Sequence, residues 1–67
     1  MKTEIEIGKG YKITEREEGE RITVYAERGV EAFNSCDTIT IQDADGVLIG
    51  DILDVDEARS EIWIQLI

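Results

Sequence analysis

Apolar and polar residues alternate along most of the chain. In Thr3-Glu4-Ile5-Glu6-Ile7 the isoleucines fall on one side and the glutamates on the other, the period-two pattern of a half-buried strand. Gly8-Lys9-Gly10 reads as a turn, after which Tyr11 and Ile13 share a face opposite Lys12 and Thr14. Glu17-Glu18-Gly19-Glu20 is a polar turn and predicts a hairpin into a strand over residues 21–28. There Ile22, Val24 and Ala26 point in, while Thr23, Tyr25 and Glu27 point out. Residues 29–37 break the pattern. Val30 and Phe33, spaced i, i+3, fit either one helical turn over 30–33, ended by Asn34-Ser35, or a loop with Phe33 plugging the core.

The second half returns to alternation. Thr38-Ile39-Thr40-Ile41-Gln42 is a strand with Ile39 and Ile41 in, and Asp43-Ala44-Asp45-Gly46 is a tight hairpin turn. Over residues 47–55 the pattern changes phase. Val47 and Ile49 share a face, but Ile52, Leu53 and Val55 do not continue it, which predicts a bulge or bend at Gly50-Asp51. Residues 56–59 form a turn. A last strand over 61–67 places Ile62, Ile64 and Leu66 on the core face and Trp63, Gln65 and Ile67 on the other.

Residue choice supports this reading. Eleven Ile, four Val and five Thr stand against three Leu, and β-branched side chains fit a pleated surface better than a helix. A flat sheet would leave one face apolar. The expectation is one all-β domain over residues 1–67: a small antiparallel, SH3-like barrel of five or six short strands, with at most one helical turn near 30–33.

Size narrows how such a fold is held. Single cores below roughly 70–80 residues rarely supply more than ~3–5 kcal/mol. With Cys36 the only cysteine and no His, an internal disulfide cannot form and a zinc site is not expected. Good packing, self-association or a bound partner remain. The lone Cys and the lack of a charged-then-apolar leader point to a reducing, cytoplasmic setting. No apolar run approaches the ~20 residues of a membrane helix, so no membrane association is expected.

Charge changes the picture most. The chain has 16 Asp and Glu against 7 Lys and Arg, a net of −9. Residues 1–33 hold eight acids and six bases; residues 34–67 hold eight acids and one base, Arg59. All six Asp lie in the second half. Turn propensity accounts for Asp43 and Asp45, and in part for Asp54 and Asp56. It does not account for the scarcity of Lys and Arg. Direct binding to a nucleic-acid backbone needs a basic face and is not expected. An acidic surface serves either solubility or a basic partner.

Candidate chemistry is sparse. Asp43-x-Asp45-Gly46 has the spacing of a calcium loop, but with Gly46 as its sixth position Ile41 and Ile52 would fall where carboxylates are required. Gly8-Lys9-Gly10 lacks the upstream Gly and the Ser or Thr of a phosphate loop. Ser35 and Cys36 have no His to activate them. No catalysis and no cofactor are expected. Tyr25 and Trp63, in outward register, are the side chains suited to anchor an interface.

Residues 43–64, DADGVLIGDILDVDEARSEIWI, resemble the hairpin of small SH3-like barrels. The segment is similar to the PRC-barrel pattern, in which an acidic-Gly turn precedes an apolar-Gly-x-apolar strand, an acidic break and another apolar strand. Gly50, Ile52, Val55 and Asp56 are also similar to the Sm-fold pattern, which the chain leaves at Arg59-Ser60. These resemblances imply a fold and carry over no site residue. In size and acidity the chain resembles small phage-encoded inhibitors, including anti-CRISPR and DNA-mimic proteins. That resemblance implies carboxylates spaced like phosphates that occupy a Lys- and Arg-lined channel.

The sequence therefore predicts a non-catalytic protein whose acidic half docks on a basic partner, one that handles nucleic acid, and inhibits or regulates it. Asp43, Asp45, Asp51, Asp54, Asp56, Glu57 and Glu61 would supply charge, and Trp63 or Tyr25 the apolar anchor. The alternative is a structural barrel module that forms a homodimer through its C-terminal strand, its acidity serving solubility alone.

Overall fold

The computed structural model describes residues 2–67. Six strands follow one another: β1 (Lys2–Glu6), β2 (Tyr11–Glu17), β3 (Arg21–Ala26), β4 (Thr38–Asp43), β5 (Gly46–Asp56) and β6 (Glu61–Leu66). A single 3-10 turn, Glu31–Phe33, interrupts them between β3 and β4. The strands form one sheet in the order β1-β4-β5-β6-β3-β2, so the fold is a small all-β half-barrel.

The topology itself demands the curl. β1 and β2 are consecutive in the chain yet lie at opposite edges of the sheet. Laid flat, six strands at ~4.8 Å spacing would separate those edges by ~24 Å. The chain from Glu6 to Tyr11 spans at most ~18 Å even fully extended. It is not extended: Lys9 N–H donates to Glu6 O at 3.2 Å, and Gly8 N–H donates to Tyr11 O at 2.9 Å. Gly8 and Gly10 take φ values of 96° and 89°, which side chains rarely adopt, so both glycines serve this turn. The turn draws the two edges together at one end of the sheet.

Pairing is antiparallel throughout, with one exception. β1 runs parallel to β4, from Lys2↔Thr38 to Glu6↔Gln42. Hairpins alone do not produce that arrangement. The parallel pair is possible because β1 returns to the sheet beside a strand more than thirty residues later in the chain.

The concave side holds the core. Ile39, Ile41, Ile62, Ile64, Val24 and Ala26 are fully enclosed, and Ile5, Ile22, Val30 and Phe33 complete the cluster. Each fully buried Ile or Val contributes about 1.5–3 kcal/mol relative to exposure. Phe33, delivered by the 3-10 turn, meets Tyr11 edge-on with ring centroids 5.9 Å apart. Both readings of residues 29–37 thus hold in part: a turn of helix exists, and its Phe33 plugs one end of the core.

The expected bulge exists at a different position. The β5–β6 register shifts between Ile52 and Asp54, so Leu53 is the extra residue rather than Gly50-Asp51. Gly50 answers another demand. A Cβ placed there would lie 2.6 Å from both the Gln65 carbonyl oxygen and Ile64 Cγ2. Only glycine allows β5 to approach β6 this closely. A second shift, between Ile13 and Glu15, bends β2. Beyond it Arg16 sits opposite Ile22 and reaches Asp43 across the open seam, 3.7 Å away.

Candidate protein-docking face

The second half of the chain forms the contiguous centre of the sheet, because β4, β5 and β6 lie side by side. None of these three strands contains a Lys or Arg. Strand alternation sends the charged residues of β5 and β6 to the convex, solvent side. Asp51 and Gln65 are paired in register, as are Asp54 and Trp63, and Asp56 and Glu61. The adjoining β3 adds Arg21 beside Gln65, Thr23 beside Trp63 and Tyr25 beside Glu61. Asp51, Asp54, Asp56, Glu61, Trp63 and Tyr25 therefore share one outward surface.

The remaining sequence candidates lie elsewhere. Asp43 occupies inward register at the end of β4, accepts the Ala44 N–H at 2.8 Å and faces Arg16. Asp45 sits in the two-residue loop closed by the Asp43↔Gly46 pair, at the far end of β5 from Asp54 and Asp56. Glu57 lies in the β5–β6 turn, where its Oε1 accepts a hydrogen bond from Asn34 Nδ2 at 2.7 Å. These three do not join the acidic surface on β5 and β6.

Alternation missed Leu53. The bulge gives β5 two consecutive outward residues, Leu53 and Asp54, both beside Trp63. Leu53 is 54% exposed and Trp63 40%, so the acidic surface has an apolar centre. The adjacent apolar pair Ile52-Leu53 was the available signal, since only one of them can face the core on a regular strand. Trp63 Nε1 donates to Glu61 Oε1 at 3.4 Å, which leaves the indole lying along its own strand. A separate outward patch, Val47, Ile49 and Ile67, lies toward the other end of β5, with Ile67 N–H bonded to Ile49 O at 2.9 Å.

Five carboxylates of the second half, Asp45, Asp51, Asp54, Glu57 and Glu61, form no ion pair among the described residues. Asp56 is partnered, by the Arg59 guanidinium at 3.9 Å and the Arg59 N–H at 3.2 Å. Among the described residues no group of His, Cys, Asp and Glu is placed to hold a metal ion, and no helix is long and apolar enough to cross a membrane. The Cys36 thiol is half-buried and lies 3.7 Å from the Ala32 carbonyl oxygen. Compared with protein-family models, curated proteins and solved structures, the chain matches none.

Proposed function

We propose that the chain is a non-catalytic binding protein that sets the convex face of β5 and β6 on a basic protein surface. The observation that carries this is the placement of Asp51, Asp54, Asp56 and Glu61 around exposed Leu53 and Trp63, on strands without a single base. Charge steers and orients such a contact; the aromatic and aliphatic centre supplies affinity. A partner that normally holds nucleic acid offers the complementary Lys and Arg. Occupying that surface would exclude the nucleic acid and inhibit the partner, in the manner of a small phage inhibitor of the anti-CRISPR kind acting in the cytoplasm.

The test is affinity capture from native host lysate at about 0.15 M salt, where charges beyond ~8 Å are screened. Parent protein runs beside a variant with Asp51→Asn, Asp54→Asn, Asp56→Asn and Glu61→Gln. A basic nucleic-acid-handling protein retained by the parent, lost with the variant and displaced by added nucleic acid supports the proposal. The same proteins on both resins refute it.

A second reading has its own observation. Val47, Ile49 and Ile67 form an exposed aliphatic patch beside uncharged Thr40 and Gln42. Self-association would use this face rather than strand pairing along β6, because β6 is hydrogen-bonded on both edges by β5 and β3. Sedimentation separates the readings: a dimer lost in Ile49→Ser and strengthened by salt favours self-association.

A further inference from the structure

The convex face carries a groove of about 250 Å³ beside Trp63, walled by Glu15, Arg21, Leu53, Arg59 and Glu61. The geometry points to this groove as the seat of one arginine side chain from the basic partner. The inference rests on the docking face proposed above and names the group that the face selects.

Three features match an arginine. Trp63 is exposed, and among the described residues no cation lies over an aromatic ring. Tryptophan is the ring that attracts cations most strongly. Leu53 offers an apolar wall to the stem of a long side chain, because the bulge turns it outward. Carboxylates then flank the position of the head group. Glu15, Thr23 and Trp63 form one row across β2, β3 and β6, and Glu61 lies two residues back along Trp63's own strand. Neither Glu15 nor Glu61 is in an ion pair among the described residues.

The groove's own arginines do not fill this role. Arg21 faces Glu17 at 3.8 Å and Arg59 faces Asp56 at 3.9 Å, carboxylates other than Glu15 and Glu61. The selection is for arginine over lysine. A planar guanidinium stacks on indole while its forked donors reach two carboxylates; an ammonium is compact, strongly hydrated and does neither as well.

The experiment uses two capped peptides of equal length and charge, one with arginine as its only cation and the other with lysine. Trp63 is the sole tryptophan, so its emission reports the groove directly. At fixed ionic strength the arginine peptide should bind more tightly, by up to about fivefold, the whole of an exposed cation–π contact, and should change Trp63 emission. Glu15→Gln with Glu61→Gln, surface changes that leave the core intact, should remove most of that preference. Trp63→Leu, followed by calorimetry, should abolish it while residual attraction to both peptides persists. Equal affinities with unmoved Trp63 emission overturn the inference and leave the docking face standing. If neither peptide binds, both the inference and the docking face are overturned.

Discussion

The central strands and their flanks differ in the charge they carry. β4, β5 and β6 carry five acids, Asp43, Asp51, Asp54, Asp56 and Glu61, and no base. β1, β2 and β3 carry four acids, Glu4, Glu6, Glu15 and Glu17, against four bases, Lys2, Lys12, Arg16 and Arg21. Solubility would be served by acids anywhere, so it gives no reason for this division. Inside, the division is different: β4 and β6 bury Ile39, Ile41, Ile62 and Ile64, β3 buries Ile22, Val24 and Ala26, and β5 buries only Gly50. β5, which bears the most uncompensated charge, lies between β4 and β6, whose inward isoleucines are fully enclosed. A small domain can concentrate repulsion on one strand where the strands on either side of it are firmly held.

The largest way to break this contrast is through the core. Ile64→Ala should cost about 2–5 kcal/mol, enough to unfold most of a domain this small. Ile5→Ala on the edge strand β1, whose neighbours lie on one side only, should cost less. Urea denaturation of the pair measures the difference, and equal costs would show that centre and flank are anchored alike. Gly50→Ala comes next, at about 1–3 kcal/mol by overpacking. The added Cβ meets a backbone oxygen, which cannot move aside as a side-chain tip can. Thermal melts that leave Gly50→Ala unchanged would show that β5 and β6 can separate freely.

The smallest effect tests the charge. Asp51→Asn, Asp54→Asn and Asp56→Asn together should raise the melting temperature at low salt, because they relieve repulsion along β5. Asn keeps the oxygens that accept the Val55 and Arg59 N–H bonds. The gain should shrink as salt is raised and the Debye length falls to ~3 Å near 1 M. The corresponding change on β2, Glu15→Gln with Glu17→Gln, should move the melting temperature less, since bases surround those positions.

Much of this organisation was legible in the residues. Period-two alternation located all six strands and the inward sets of β3, β4 and β6, because one buried face imposes that period. The outward register of Trp63 and Tyr25 followed from the same rule. What alternation could not show was adjacency. Nothing local in Thr3–Ile7 says that its partner is Thr38–Gln42, or that the pair is parallel. The bulge is visible as a phase change, but the pattern points to Gly50-Asp51 and not to Leu53, because glycine marks both bulges and close approaches. The site divided for the same reason. Asp43 and Asp45 are near Asp51 in sequence, yet β5 carries them to the opposite end of the sheet.

The parallel seating of β1 also fixes an order of events. β4, β5 and β6 join through short turns and can zip locally, as can β2 and β3. β1 can dock only after β4 exists, so on a ribosome it emerges before its partner and must wait for it. During that interval Ile5 and Ile7 are open to any neighbouring nascent chain. Glu4 and Glu6, alternating with them, act as gatekeepers that make such a strand a poor template for its own copies.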